Sequence, residues 1–516
     1  MIEDSGETPA RTRLERLLDA VERAGNRLPD PALLFVWLLL AVWIVSWLIS
    51  DVAFSFVDPH TGAPLVVDDG LDGASLTAFF ANMVEVFVRF HPLGVVLVAM
   101  LGIGVADHLG FIDAGLRGLL SITARRWLTP MLIFVAILSH LAVDAGYVLV
   151  IPLGAVLFHS AGRHPLAGIA AAFAGVSGGF SASFLPVALD PLLSGITQEA
   201  ARIVDPAAIV NPLNNWAFTA GSSVVILGIG WFLTDRVIEP RLRRTTPVDG
   251  DMTDLPTLEK LAPGERRALR RALLAMLGGV ALLAVTAWPA TSAWRDAAGL
   301  LTSGDAALMR SIVPLIFLVF LVPAVVYGHA AGSVRSHRDV VAGMTKSMSG
   351  MGYYIVLAFF ASQFIAAFTQ SNLGALIALG GAAGLTQLGL PDPAMVIGLI
   401  GITGLVNLFI GSASAKWALL APIFVPMGMQ LGISPDATQA AYRIGDSSTN
   451  IITPVMPYFP LVVVFCQRWV RGAGIGTVVA LMIPYSIAFF LAWTALLLLY
   501  WALGIPLGLG ASYGVG

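Results

Sequence analysis

The chain is poor in charge and in cysteine, and each shortage excludes a class of protein. Of its 516 residues, 12% are charged and 57% are hydrophobic, whereas a soluble domain is typically about 25% charged. The lone Cys466 excludes a disulfide within the chain. There is no basic stripe and no Cys/His spacing of a zinc site, so the sequence predicts no nucleic-acid partner.

Catalytic and nucleotide-binding motifs are also missing. The sequence has no HExxH and no Walker A motif, which argues against a metalloprotease and an ATP-driven pump. The string GVSGG at 175–179 has the letters of a nucleophile elbow but lacks the strand–turn–helix setting that such an elbow needs. The sequence therefore predicts that the protein is not an enzyme.

Apolar runs long enough to cross a membrane occupy most of the chain. A helix needs about 20 apolar residues to cross. The segments near or above that length are 33–50, 90–109, 130–158, 207–234, 270–289, 311–330, 348–369, 436–464 and 474–501. Two further stretches, 166–196 and 394–429, are apolar but rich in Gly, Ser and Pro, and we interpret them as re-entrant hairpins. The predicted fold is an all-α polytopic membrane protein with about nine transmembrane helices and two hairpins. Segment 373–390 is short and glycine-rich, and the sequence does not decide whether it forms a tenth transmembrane helix.

Lysine and arginine predict the orientation of the spans. Five arginines in the first 30 residues place the N-terminus in the cytoplasm, and nine Lys/Arg in loop 235–271 place that loop there too. The first apolar run lacks the cleavage site of a signal peptide, so we predict that it is retained. The predicted organisation is a cytoplasmic segment 1–30, a first transmembrane half 31–235, a cytoplasmic linker 236–269, a second half 270–505 and a C-terminal tail 506–516.

The two halves share sequence features in the same order. Residues 197–205 read TQEAARIVD and residues 438–446 read TQAAYRIGD. Ser-Ala-Ser precedes each string, at 181–183 and 412–414, and a break rich in Asn and Pro follows each, at 211–215 and 450–454. Paired broken segments of this kind point to the binding site of a secondary transporter. The halves are inverted if 373–390 crosses the membrane and parallel if it does not. The distribution of Lys and Arg favours the parallel arrangement, whereas the symmetry of known transporters favours inversion. We favour inversion.

The stretch 401–460 contains the predicted site of the coupling ion. Asp446 is the candidate carboxylate because it lies at membrane depth beside Gly445, which we expect to loosen the helix. Asn450 lies one turn further on, and Asn407 precedes a turn at Gly411. Oxygen ligands suit a hard cation, so Asn407, Asp446 and Asn450 are the predicted sodium ligands. The alternative for Asp446 is a structural ion pair with Arg443.

A second set of residues is predicted to contact substrate. The planar guanidinium of Arg443 suits a carboxylate, although an arginine at a helix end also reaches the membrane interface. Trp417 can stack on an aromatic ring, although tryptophan is common at membrane interfaces. Asp190 lies between prolines, and we interpret it either as a proton carrier or as a residue that caps the hairpin. Lys416 either attracts an anion or reaches the interface. The full predicted set is Asp190, Ser414, Trp417, Arg443, Asp446 and Pro454. A further carboxylate, Asp144, lies four residues after His140. We interpret these two residues either as a second proton site or as a buried structural pair.

These motifs carry a family resemblance. SASAKW and ISPDATQAAYRIGDSSTNIITPVMPYFP, with GVSGGFSASFLPVALDPLLSGITQEAARIVDP in the first half, resemble the AbgT family of aminobenzoyl-glutamate transporters over nearly the whole chain. The resemblance implies a homodimer in the bacterial inner membrane, with about nine helices and two hairpins per subunit. It also implies uptake of p-aminobenzoyl-glutamate, efflux of sulfonamides, and coupling to sodium or protons with no other cofactor.

Two alternatives to this function are kept open. The first is a sodium-coupled dicarboxylate or anion transporter of the same clan. The second is an intramembrane enzyme, such as a protease that uses Asp144 and Asp190. Import and export use the same site, so the sequence predicts neither direction.

Overall fold

The protein is built from helices throughout the part described by the computed structural model. That part comprises residues 30–57, 63–121, 124–141, 146–250, 261–303, 306–387, 389 and 391–515, and it contains no β-strand. Residues 1–29 and Asp144 lie outside it. The helices are α1 Pro31–Ile49, α2 Gly73–Val88, α3 His91–His108, α4 Phe111–Ser121, α5 Leu128–Leu138, α6 Ile151–Ser160, α7 Pro165–Phe173, α8 Leu189–Ala201, α9 Trp216–Leu233, α10 Glu239–Thr245, α11 Pro263–Ala287, α12 Ala307–Arg310, α13 Ile312–Ala331, α14 His337–Gly350, α15 Gly352–Gln370, α16 Leu373–Gln387, α17 Asp392–Asn407, α18 Ala413–Gln430, α19 Pro435–Asn450, α20 Phe459–Gln467 and α21 Ile475–Ala502.

Single turns of other helix types join some of these elements. They are 3₁₀ turns at Arg125–Trp127 and Ser139–Leu141, and π turns at Gly146–Val150, Ala174–Gly178 and Thr234–Ile238. Among the described residues, seven helical stretches are long and apolar enough to cross a membrane. They are Pro31–Ile49, Gly73–His108, Trp216–Thr245, Pro263–Ala287, Ile312–Ala331, Gly352–Gln370 and Ile475–Ala502. The prediction of an all-α, multi-pass membrane protein is confirmed.

The stretch Trp216–Thr245 provides a reference axis, because α9 and α10 form one helix through the π turn between them. We call its two ends the 216 end and the 245 end. Helix α21 lies against it, with Tyr485 hydrogen-bonded to Thr234 at 2.6 Å and Tyr500 packed edge-on against Phe218. Residues 468–471 lie at the 245 end, since Asp249 accepts a bond of 3.0 Å from the Arg471 backbone N–H.

The first hairpin lies earlier in the chain than the sequence predicts. The chain from α5 to α6 starts and finishes at the 245 end, because Thr129 donates to Asp235 at 2.7 Å and Arg163, which follows α6, donates to Glu239 at 2.8 Å. The described parts of the predicted span 130–158, which are 130–141 and 146–158, therefore run in opposite directions and do not form one straight span. Helix α5 stops at Leu138, and His140 just beyond bonds to two backbone carbonyls of another segment.

The segment predicted as the first hairpin, 166–196, instead passes from one end of the molecule to the other. His164, just before α7, lies 3.0 Å from the Thr246 carbonyl at the 245 end. Gln198, near the end of α8, accepts a bond of 3.1 Å from Val210 N–H at the 216 end. Between the two helices, 179–188 is not helical. Gly, Ser and Pro mark the break correctly, but they carry no signal for whether the chain turns back there.

A second helix pair lies at the predicted position 394–429. Helices α17 and α18 meet at 408–412, and α17 runs in the same direction as α19, with Gly404 beside Thr449 and Asn407 beside Asn450. Both ends of this pair therefore lie where α19 begins, which is the 216 end, because Asn214 contacts Asp436 there. The predicted span 436–464 is broken at 451–458, where Pro454 and Pro457 end the helix.

Segment 373–390 contains the short helix α16, Leu373–Gln387. Its 15 residues span about 22 Å, less than the roughly 30 Å of a bilayer core. Arg468 and Arg471 lie at the same end as Asp249. This is the position predicted for them if 373–390 does not cross the membrane. The two helix pairs nevertheless enter from opposite ends of the molecule. The described part of the tail, 506–515, packs at the 216 end, where Leu507 accepts from Phe218 N–H at 2.8 Å.

Candidate functional site

The interrupted segments of the two halves meet in the interior of the protein. Ser181 in the first break donates its backbone N–H to the Ser447 hydroxyl at 3.0 Å. His140 contacts the same segment, with Nε2 at 2.8 Å from the Val176 carbonyl and Nδ1 at 3.2 Å from the Ala182 carbonyl. A Cβ on Gly411, between α17 and α18, would lie 2.9 Å from the Met456 backbone, so glycine permits this contact with the second break.

A buried ion pair joins the two halves at this meeting point. Arg443 on α19 donates from Nη2 to Asp190 on α8 at 2.8 Å, and the two residues are 1% and 2% exposed. Asp190 is in the first turn of α8, where the helix dipole favours a negative charge, and it also accepts from Val187 N–H at 2.9 Å. Within the described part of the chain, Arg443 Nε and Nη1 have no hydrogen-bond partner.

A second buried ion pair lies one turn along α19. Lys416 Nζ is 2.6 Å from Asp446 Oδ1, and both side chains are almost completely buried. The pair of Asp446 with Arg443 that the sequence suggested is not formed, because each of these residues has a partner from another helix. Lys416 is absent from the predicted site. A lysine at membrane depth is the signal in the sequence, but a lysine that reaches the membrane interface gives the same signal.

The three predicted sodium ligands lie together around Lys416. Asn407 accepts from the Lys416 ammonium and donates from Nδ2 to the Asp446 carbonyl at 2.8 Å and to Asn450 Oδ1 at 2.9 Å. The Asn450 oxygen therefore faces the Asn407 amide. Asn407 and Asp446 face the ammonium directly.

Gly445 does not loosen α19, which is continuous from Pro435 to Asn450. A Cβ at Gly445 would lie 2.4 Å from the Ile400 carbonyl. The glycine therefore allows α17 to pack close to α19, which brings Asn407 within reach of Asp446. The prediction for this residue was wrong, because a glycine at a tight helix contact and one at a helix break look alike in sequence.

Trp417 is completely buried beside the two ion pairs. Its ring stacks on Tyr442 with centroids 4.4 Å apart, and its Nε1 donates to the Thr197 hydroxyl at 2.9 Å. Stacking on a substrate would require this aromatic pair to open. Ser414 is half-buried near the hairpin turn, and Pro454 is buried in the second break.

A polar cluster that the sequence reading missed lies between the site and the 216 end. Thr197 donates to Gln439 at 2.6 Å, Asn214 donates to Asp436 at 2.9 Å, and Ser512 N–H donates to the same carboxylate at 3.1 Å. The break at 211–215 thus contacts α19 and the C-terminal segment. Thr197 and Gln439 belong to the two repeated strings, but the sequence does not show that these strings contact each other, because they lie in distant parts of the chain.

Comparison with known proteins identifies the family. The family model of the AbgT transporters matches residues 16–515. The chain is 37% identical over 502 residues to the p-aminobenzoyl-glutamate transport protein of Escherichia coli (strain K12), covering 97% of this chain and 98% of that protein.

The chain belongs to the AbgT transporter family. Two solved structures of the family have the same fold. The Alcanivorax borkumensis YdaH transporter, described as having an unusual topology, is 41% identical with a TM-score of 0.87, over 93% of this chain and 100% of that one. Neisseria gonorrhoeae MtrF, described as illuminating a class of antimetabolite efflux pumps, is 43% identical with a TM-score of 0.90, over 96% and 100%. AbgT relatives are transporters, so the prediction that the protein is not an enzyme is confirmed and the intramembrane protease is excluded.

Proposed function

We propose that this AbgT transporter carries p-aminobenzoyl-glutamate and similar aromatic carboxylates, with sulfonamide antimetabolites as a second substrate class, by ion-coupled secondary transport. The E. coli relative is named for the first substrate and MtrF is described with antimetabolite efflux pumps. The observation that carries the proposal is Arg443, which is buried where the broken segments meet and has two guanidinium nitrogens without a partner among the described residues.

The guanidinium of Arg443 suits the carboxylates of p-aminobenzoyl-glutamate, the first of the two proposed substrate classes. Unpaired donors in the interior are costly, and a carboxylate satisfies the planar fork in a way that a neutral ligand does not. Asp190 holds the remaining nitrogen and fixes the orientation of the fork. Tyr442 directly precedes Arg443 on α19, and Trp417 of α18 stacks on it. These two rings would provide the aromatic contact if their stacked pair opens.

The two halves are proposed to be inverted repeats. The unit α5–α6, broken passage α7–α8 and helix α9–α10 would correspond to α17–α18, broken passage α19–α20 and helix α21. Entry of the two helix pairs from opposite ends supports this correspondence. Motion of one unit relative to the other would then expose the junction to alternate sides of the membrane, as inverted repeats do in other secondary transporters.

Coupling is assigned to Asp446, Asn407 and the neighbouring Asn450. A carboxylate and an amide oxygen suit sodium, and a buried carboxylate also suits a proton, so both gradients are tested. The predicted substrate and ion sets share Asp446, which lies one turn from Arg443 on α19. Binding of the ion would therefore change the charge next to the substrate carboxylate.

A homodimer in the bacterial inner membrane, with the N-terminus in the cytoplasm, completes the proposal. The nine Lys/Arg in loop 235–271 support a cytoplasmic 245 end. In a protein with Cys466 replaced by Ser, a cysteine placed at Thr246 should resist an impermeant thiol reagent added to intact cells, and one placed at Ser512 should react. Labelling of the first position and protection of the second would reverse the orientation.

Flux measurements in proteoliposomes test the function. Labelled p-aminobenzoyl-glutamate should accumulate when a sodium or a proton gradient is imposed separately, and unlabelled sulfonamide should compete. Competition by succinate, which has carboxylates but no ring, would instead favour the dicarboxylate alternative. Absence of gradient-driven flux with both substrate classes would contradict the proposal.

A further inference from the structure

The Lys416 ammonium is surrounded by oxygen atoms of three kinds. The Asp446 carboxylate lies 2.6 Å away, the Asn407 amide oxygen accepts a hydrogen bond, and the Ile410 carbonyl lies at 3.3 Å. The lysine side chain is 0% exposed. Carboxylate, amide and backbone carbonyl oxygens are the ligands that proteins offer to hard cations. The ammonium therefore lies where the sequence predicted a sodium ion.

The position of Lys416 in the chain attaches this charge to a hairpin. Lys416 lies in the first turn of α18, directly after the turn 408–412, whereas Asp446 belongs to α19 of the broken passage. Removing one member of a buried ion pair is strongly destabilising, because it leaves an uncompensated charge in the interior. The hairpin can therefore withdraw the ammonium from Asp446 only if another cation replaces it.

We propose that Lys416 is a tethered cation that occupies the binding place of the coupling ion, so that the ammonium and a free monovalent cation exchange at Asp446 and Asn407 during transport. The inference rests on the proposed role of Asp446 in coupling. It adds a residue that determines when the site is available, and it links ion binding to movement of α17 and α18. The other buried pair cannot act in the same way, because Asp190 binds an arginine whose delocalised fork is a poor substitute for a compact ion.

Thermal stability of purified protein tests the exchange without a transport assay. Lys416→Met keeps the length of the side chain and removes the charge, so sodium should enter. The melting temperature of this variant should rise by about 2–4 °C in sodium chloride relative to choline chloride at the same concentration, and should saturate with sodium. The wild type should show a smaller response that needs more sodium, because the ammonium competes for the same oxygens. The double variant Lys416→Met/Asp446→Asn should show no saturable sodium response, because the carboxylate that would hold sodium is gone.

Three outcomes overturn the proposal. The first is a sodium response of the wild type equal to that of Lys416→Met, since the ammonium would then not compete. The second is no sodium response in a folded Lys416→Met protein. If that variant does not fold, Lys416→Gln replaces it in the same titration. The third outcome is that neither variant folds in the presence of sodium. Gradient-driven flux in the wild type together with any of these results would leave the proposed function intact and remove only the tethered cation.

Discussion

Two strings in this chain that match at six of nine positions place their arginine and aspartate in opposite environments. In TQAAYRIGD at 438–446, Arg443 and Asp446 are buried and each is paired with a side chain of another segment. In TQEAARIVD at 197–205, the Arg202 side chain is 40% exposed and pairs with Glu199 three residues away, and Asp205 is exposed. The first string lies inside α19, whereas the second runs past the end of α8 at Ala201.

The difference shows that the burial and pairing of the arginine and aspartate depend on where the string lies in its helix. The strings do not occupy equivalent positions in the proposed inverted units, since one lies in the first helix of its broken passage and the other at the end of the second. They instead lie side by side, with Thr197 bonded to Gln439. Paired substitutions in both strings can therefore separate the effect of environment from that of residue type.

The largest difference is expected at the two arginines. Arg443→Ala should lower the free energy of unfolding by about 3–5 kcal/mol, because Asp190 keeps its buried charge without a partner. Arg202→Ala should lower it by less than about 1 kcal/mol, because an exposed pair contributes little. Chemical denaturation of the purified variants measures both. Equal losses would show that burial does not decide how much each arginine contributes to stability. As a control, the double variant Asp190→Ala/Arg443→Ala should recover part of the loss, because it removes both buried charges.

A smaller effect is expected at Gly445, which aligns with Val204 in the other string. Gly445→Ala should lower the free energy of unfolding by about 1–3 kcal/mol, because the added methyl group pushes α17 away from α19. Gly279→Ala is the matched control, since it lies in helix α11 with open space around its Cβ position. Its stability should stay the same or rise. A neutral Gly445→Ala would contradict the tight contact between α17 and α19.

The smallest effect is expected where the two strings join through Trp417. Trp417→Phe keeps an aromatic ring against Tyr442 but loses the bond from Nε1 to Thr197. The free energy of unfolding should fall by about 0.5–1.5 kcal/mol. Thr197→Val, measured alone and together with Trp417→Phe, provides the double-mutant cycle. Additive losses would mean that the two side chains are not coupled.

Composition and hydrophobic run length were sufficient to predict the helical membrane fold. The helix pair α17–α18 also lies where Gly, Ser and Pro mark 394–429. The sequence did not distinguish a broken passage from a hairpin, because that depends on which ends of distant helices pack together. It missed the amphipathic helices α4 and α14, which lack the long apolar runs used to locate spans.

The structure brings together several residues that the sequence named separately, and it pairs them differently. Asp190, Arg443, Asn407 and Asp446 were all named from the sequence, and the structure brings them together. The sequence offered a pair of Arg443 with Asp446 as the alternative to an ion site, because residues three apart are neighbours on a helix. Packing of α8 and α18 against α19 supplied other partners, and a single sequence contains no direct record of such contacts between helices.

The most direct test of the account compares ion-stimulated flux for the two aspartates that end the strings. Asp446→Asn should abolish the stimulation of p-aminobenzoyl-glutamate flux by a sodium or proton gradient in proteoliposomes, because the amide has no charge to balance a cation. Asp205→Asn, on the exposed copy, should keep wild-type flux. Folding of both proteins is checked by their melting temperatures. Normal ion-stimulated flux in a folded Asp446→Asn protein would contradict the account and move the coupling role to Asp190.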